Sequence, residues 1–269
     1  MPASHVVEPR KGYAHTHTII LLHGRDSTSA EFASELFESE ASALDSSEDS
    51  KRTLPDLLPT IRWVFPTAPM LRSARFDTDM SQWFDMWSTE NPDERPEVQL
   101  PGLKDSVSAL VEVVREEERD VARDRIFIGG ISQGFVVAVA AFFAGEAMSG
   151  LAGLIGLSSW MPLSGELGDE DGREQLRLVF GETSSGPFSG PISGPRSPVP
   201  VFLGHSSDDP VVSVSHGRAL RDTLKRFSDI FGEVEWHEYE DGGHWLNEPQ
   251  GVDDLVAFLK KHMNAVLSA

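Results

Sequence analysis

The sequence predicts an α/β fold, a mostly parallel central sheet with helices on both faces. Three observations predict it. Short apolar runs of strand length alternate with stretches of helical periodicity along the chain. The chain of 269 residues is an ordinary length for one α/β domain. No linker separates two independent cores, so residues 1–269 are expected to form a single domain.

Thr18 to Leu22 (TIILL) is apolar throughout, as a buried strand is, and runs straight into His23-Gly24. A helix with Phe32, Leu36 and Phe37 on one side is expected next. Ile61 to Phe65 is a second strand, stopped by Pro66. Leu103, Val107, Leu110, Val111 and Val114 recur at helical spacing and predict a helix over Leu103 to Glu117. Arg125 to Ile131 is predicted as a central strand, and Val136 to Phe143 is apolar on all sides, as a buried helix would be. Leu151 to Leu157 and Val199 to Leu203 are two more strands. A helix over Val214 to Phe227, a strand over Val234 to Tyr239 and a helix over Val252 to Val266 complete the alternation.

Two segments break the pattern. Residues 38–52 are polar and acidic and are expected to form an exposed loop. Residues 164–198 are an insertion rich in Gly, Ser, Pro and acids, with Ser-Gly-Pro repeated three times between Ser185 and Arg196. A four-residue unit has no core to bury, so this is no repeat domain. Phe188 and Ile192, apolar among those units, suggest a flap over a neighbouring pocket or its mouth, and a disordered surface loop is the plain alternative.

Lys and Arg number 23 against 43 Asp and Glu, a formal charge of −20. Such a surface repels phosphate backbones, so no nucleic-acid partner is expected. It would attract cationic substrates, but a solvated acidic surface that aids solubility accounts for it more simply. Without cysteine, disulfides and thiolate metal sites are excluded. The first residues lack the apolar core of a signal peptide, and no stretch approaches the ~20 apolar residues of a membrane span. Stable membrane insertion is therefore not expected, and a cytoplasmic location is.

Gly130-Ile131-Ser132-Gln133-Gly134 matches G-x-S-x-G between a predicted buried strand and a helix. That context matters more than the pattern. A sharp strand-to-helix turn needs small residues on either side of the serine, and it lifts the hydroxyl clear of the sheet. The plain alternative is a turn with a capping serine. A serine hydroxyl is a weak nucleophile until a base takes its proton. Four histidines follow a suitable acid. His216 and His262 fall in helical patterns and His237 in a strand, which leaves His244 in the loop after Asp241-Gly242-Gly243. A histidine base must be neutral to take the proton, so activity is expected to rise with pH. The acid is expected after the strand Val199 to Leu203, where both Asp208 and Asp209 are candidates. Asp209 is preferred because Pro210 fixes its turn, and Asp208 is expected to cap its own turn. Asp209 would hold the tautomer of His244 and stabilise the imidazolium.

An oxyanion needs preorganised N–H donors. The backbone amides of Gln133, after the nucleophile, and Arg25, in the loop after the first clear strand, are expected to supply them. His23 in that loop is expected to be structural. Trp83, Phe84 and Trp160 are the candidates for forming or supporting a substrate pocket, with packing of their loops onto the core as the plain alternative. His15 and His17 are two apart but no carboxylate neighbour follows, so no metal site is expected.

With these residues placed, the chain resembles the phospholipase/carboxylesterase family of α/β-hydrolases, the group that includes the acyl-protein thioesterases. Four stretches carry the resemblance in order: Leu21-Leu22-His23-Gly24, Pro66-Thr67-Ala68-Pro69 with Trp83-Phe84-Asp85, the Gly130–Gly134 elbow, and Asp209-Pro210-Val211-Val212 followed by His244. The resemblance implies an α/β-hydrolase fold, hydrolysis of esters or thioesters without a cofactor, and often a homodimer. It also places Arg25 and Gln133 at the oxyanion-hole positions. The chain departs from the family at Phe135, where a small residue is usual, in the length of the 164–198 insertion, and at Arg25-Asp26, where relatives often carry an apolar residue and Gly. The expected function is a serine hydrolase that cleaves carboxylic esters, of small molecules or acyl chains, through an acyl-enzyme. An acyl-protein or acyl-carrier thioesterase is the alternative. A non-catalytic hydrolase-fold binding protein is opposed by the intact Ser, Asp and His.

Overall fold

The computed structural model describes residues 3–43, 52–144, 148–163 and 197–267. In chain order the elements are β1 (Ser4–Val7), β2 (His17–Leu22), α1 (Ser29–Glu38), α2 (Leu54–Leu57), β3 (Ile61–Pro66), β4 (Met70–Ser73), β5 (Thr78–Ser81), α3 (Pro96–Glu117), β6 (Ile126–Ile131), α4 (Gln133–Phe143), β7 (Gly153–Leu157), β8 (Val199–Ser206), α5 (Val214–Arg226), β9 (Phe231–Tyr239) and α6 (Gln250–Leu267). Among the described residues seven strands form one sheet in the order β1-β3-β2-β6-β7-β8-β9. Only β1 runs antiparallel to its neighbour in it; the other pairs are parallel.

Strands apolar on both sides need a layer of helices over each face. Ile20, Leu22, Ile128, Leu154 and Leu203 pack against α3, α4 and α5. The alternate residues Ile19, Leu21, Phe127, Ile155 and Phe202 pack against α1, α2 and α6. The α/β-hydrolase architecture expected from the sequence is the one observed. Parallel register brings the strand ends level: Leu22 pairs with Gly130, Ile131 with Leu157, and Leu157 with Gly204. The loops after β2, β6, β7 and β8 therefore leave the sheet side by side at its carboxyl edge.

The structure extends the sequence expectations in three places. Helix α3 begins at Pro96, seven residues before the first residue of the apolar stripe, and carries Pro101 inside it. Strand β1 and the β4–β5 hairpin are largely solvent-exposed, so they lack the apolar runs that betray a buried strand. Of the acidic segment 38–52, residues 44–51 lie outside the described residues; its flanks are pinned by a bridge between Glu40 and Thr53, with Ala41 buried. Of the 164–198 insertion, residues 164–196, with the Ser-Gly-Pro repeats and the expected flap, also lie outside them.

Phe135, large for its place, is fully buried. Its ring lies where a side chain at residue 156 would stand, 2.6 Å from the position of a Cβ there, so Gly156 of β7 makes the room.

At the opposite edge, His17 is 1% exposed and its Nε2 has no hydrogen-bond partner. Burial, aided by the charge of Arg125, lowers its pKa from 6.5 to about 4. The folded chain thus refuses a proton that the unfolded chain accepts between these values. The stability this confers is complete above pH 6.5 and is lost as pH falls towards 4. The loss is roughly 3 kcal/mol at most, at 1.36 kcal/mol per pH unit. Urea unfolding at a series of pH values should therefore show a shallower acid slope for His17→Gln than for the parent chain. Equal slopes would show that His17 is not the source.

Candidate active site

Ser132 stands between β6 and α4 with φ 54° and ψ −125°, a conformation that non-glycine residues seldom adopt. Its turn is packed too closely for larger neighbours. A Cβ on Gly130 would lie 2.5 Å from the Leu22 carbonyl oxygen, and one on Gly134 would lie 2.3 Å from the same atom. The Ser132 amide donates to the Leu157 carbonyl at 2.9 Å, and Ser159 Oγ donates to the Ser132 carbonyl at 2.8 Å. Although Ser132 stands at the N-cap of α4, its side chain makes no capping hydrogen bond, so the plain capping role expected of such a serine is not filled.

Asp209 and His244 come from the loops after β8 and β9. The Asp209 side chain is fully buried, and its Oδ1 accepts from the amides of Val211 at 2.8 Å and Val212 at 2.9 Å. Its Oδ2 accepts from His244 Nδ1 at 2.7 Å. Burial opposes ionisation of this carboxyl, but hydrogen bonds from His205, His244 and the Val212 amide hold its pKa far below the usual range. A carboxylate facing Nδ1 requires the proton there, so in the neutral imidazole the lone pair lies on Nε2. Asp208, expected to cap its own turn, instead accepts from the Gly243 amide at 2.9 Å and ties its loop to the one carrying His244. It is Asp209 that caps the turn.

One partner of Asp209 was missed in the sequence. His205, at the end of β8 and 2% exposed, places Nε2 at 2.9 Å from the Val212 carbonyl and 3.3 Å from Asp209 Oδ2. The signal was a histidine two residues past an apolar run, still within the buried strand.

Ser132 and His244 line one cleft of about 410 Å³, together with Arg25, Gln133 and Trp160. Its wall is largely apolar, with Phe32, Met80, Met86, Ile131, Val211 and Trp245. The oxyanion-hole candidates border it from two sides. The loop after β2 lies against the elbow, where a Cβ on Gly24 would make ordinary contact with Ser132 Cβ at 3.7 Å. Among the described residues neither the Arg25 nor the Gln133 amide has a backbone acceptor. The Arg25 side chain turns to the β4–β5 hairpin, donating to Met80 Sδ and Ser73 Oγ at 3.1 Å each. Of the pocket candidates, Trp160 lines the cleft, whereas Trp83 and Phe84 are buried and absent from its lining. Trp83 borders a separate cavity of about 480 Å³, beside Pro69, Leu71 and α3. The other three histidines weighed as the base do not line the cleft: His237 meets Asp254, His216 bonds the Glu90 carbonyl, and His262 packs beside Phe258. No described helix is long and apolar enough to cross a membrane.

The arrangement gathers around one cleft a serine on a strained turn, a histidine bonded through Nδ1 to a buried carboxylate, and two amides without a backbone acceptor among the described residues. Comparison with known proteins finds the same architecture elsewhere. The model of a family described as phospholipase/carboxylesterase matches residues 1–173 and 184–263. Acyl-protein thioesterase 1 of Yarrowia lipolytica is 26% identical over 253 residues, 93% of each chain. Acyl-protein thioesterase 1 of Neurospora crassa is 27% identical over 249 residues, 90% of this chain and 86% of the relative. The crystal structure of Zea mays acyl-protein thioesterase 2 shares the fold with a TM-score of 0.67 and 24% identity, covering 98% of this chain and all of that one.

Proposed function

We propose, because the chain belongs to the phospholipase/carboxylesterase family, that it hydrolyses carboxylic esters through an acyl-enzyme formed on Ser132. The observation that carries this is the 2.7 Å bond between His244 Nδ1 and Asp209 Oδ2 in a cleft shared with Ser132. His244 Nε2 takes the Ser132 proton as Oγ attacks the ester carbonyl. The oxyanion that forms is met by the amides of Arg25 and Gln133 as preorganised donors. As the intermediate collapses, the C–O bond to the leaving alcohol breaks and the imidazolium returns its proton to that oxygen. Water then attacks the acyl-enzyme with His244 again as base, releasing the acid and restoring Ser132. Asp209 stays ionised throughout and stabilises the imidazolium.

Trp160, Met86 and Val211 on the cleft wall suit an acyl chain, which gains about 0.8 kcal/mol for each methylene buried there. Thioester hydrolysis, on an acylated protein or acyl carrier, is the second reading and follows from the names of the relatives. The same three residues serve both bonds. Cytosolic residence belongs to this proposal on the sequence expectation alone, and association as a homodimer on the family resemblance alone.

The test is a fluorophosphonate probe, which phosphonylates an activated serine. The expected result is stoichiometric loss of ester hydrolysis, with the adduct mapped by mass spectrometry to the peptide carrying Ser132. An adduct elsewhere, or hydrolysis that persists after complete labelling of Ser132, would overturn the assignment.

A further inference from the structure

The two amides of the proposed oxyanion hole belong to segments far apart in sequence, yet both must point at one oxygen. Arg25 lies in the loop after β2, and Gln133 opens α4. We propose that the Gln133 side chain and the Trp83 indole form a brace that sets the spacing of these two amides. Both would be positioning residues, and the role rests on the serine-hydrolase reading above.

Gln133 is fully buried, and both ends of its side-chain amide are used on one stretch of backbone. Its Oε1 accepts from the Trp83 amide at 2.8 Å, and its Nε2 donates to the Phe84 carbonyl at 2.8 Å. Trp83, 2% exposed, passes the restraint on: its Nε1 donates to the His23 carbonyl at 2.8 Å. The Trp83 carbonyl accepts from Ser106 Oγ of α3 at 2.6 Å, which anchors the whole to a long helix. From His23 the restraint reaches the amide itself. His23 Nδ1 donates to the Gly24 carbonyl at 2.7 Å, while its Nε2 accepts from the Ala68 amide at 3.1 Å, a pattern that requires the neutral imidazole. Burial lowers the pKa of His23 and favours the same form. The Gly24 carbonyl and the Arg25 N–H share one planar peptide group and point in opposite directions. Holding the carbonyl therefore aims the N–H. Three hydrogen bonds, linked through Trp83 and His23, thus lead from the side chain of Gln133, whose own amide is one donor, to the peptide that carries the other, and the bonds to Phe84 and Ala68 secure them from the side.

This arrangement explains why Trp83 and Phe84 stand at the catalytic edge without lining the cleft. It also accounts for a glutamine beside the nucleophile, since its flat amide accepts from the Trp83 N–H and donates to the Phe84 C=O at once.

The test uses Trp83→Phe, which keeps an aromatic ring, though a smaller one, and deletes the indole N–H, and Gln133→Met, which keeps length and the backbone amide. Displacement of a catalytic group by a fraction of an ångström is costly, so kcat should fall about 10-fold to 100-fold in each, with KM within about two-fold. Two inhibitors built on one acyl chain separate positioning from general loosening. A trifluoromethyl ketone adds Ser132 and develops the oxyanion; the matching alcohol only fills the cleft. The ketone should weaken in step with kcat and the alcohol should not. Unchanged kcat and ketone affinity in folded Trp83→Phe would overturn the brace, and so would equal weakening of both inhibitors. Gln133→Met leaves a buried N–H and C=O unpaired, so where it fails to fold, Trp83→Phe decides alone. A parent chain that turns over no ester would instead sink the hydrolase reading itself, a result readily told apart from these.

Discussion

Ser132→Ala is expected to lower kcat for ester hydrolysis by about 10⁴-fold to 10⁶-fold while the protein remains folded. The size follows from the chemistry: without Oγ there is no acyl-enzyme, and only the amides and binding remain to help direct attack by water. That the fold should survive follows from the geometry. The Ser132 side chain caps nothing in α4, and the hydrogen bonds that secure the turn come from its backbone amide and carbonyl. Alanine keeps all of these and is no more strained at φ 54° than serine is. The thermal midpoint of the variant should lie within a few degrees of the parent, as is usual where no core or network contact is removed. Substrate should still bind, so fluorescence titration with a slowly hydrolysed ester should give a similar Kd. Near-parental turnover in variant protein purified away from host esterases would remove Ser132 from the mechanism.

The sheet was legible in the sequence because its inner strands are buried on both faces. TIILL in β2 and the runs in β6 and β7 read as strands from composition alone. What escaped was what depends on solvent-facing backbone. Strand β1 and the β4–β5 hairpin make their pairings with few buried side chains, so nothing in hydropathy marks them. At the site, the elbow was visible because two close backbone contacts demand glycine at 130 and 134. Trp83 and Phe84 were harder. An aromatic pair near a catalytic edge looks the same in sequence whether it walls a pocket or braces a loop, and only the partners of Gln133 tell these apart. His205 was hidden for a related reason: its use of both the Val212 carbonyl and Asp209 depends on how the loop after β8 folds back.

Asp209→Asn should lower kcat/KM at neutral pH by about 10⁴-fold, while Asp208→Asn stays within a few-fold of the parent. The two substitutions are chemically the same and one residue apart, so the contrast isolates geometry. At residue 209 the carboxylate is an acceptor at both oxygens. Oδ1 takes the amides of Val211 and Val212, and Oδ2 takes His244 Nδ1, with His205 Nε2 close by. An asparagine has one acceptor oxygen, and the two backbone donors claim it. Its NH₂ must then face His244, and a donor there can be satisfied only if Nδ1 becomes the acceptor. The proton moves to Nε2, and the nitrogen that should receive the Ser132 proton no longer has a lone pair. The NH₂ would also confront His205 Nε2, which already donates to the Val212 carbonyl. Asp208 presents a different case. It accepts a single bond from the Gly243 amide, and asparagine offers an oxygen for it without disturbing His244. Both variants should be assayed on one ester from neutral to alkaline pH, with folding checked by circular dichroism. Partial recovery of Asp209→Asn at alkaline pH, where hydroxide can assist in removing the serine proton, would agree with a tautomer defect. A crippled Asp208→Asn beside an active Asp209→Asn would show that the carboxylate bonded to His244 is not the one that catalysis needs.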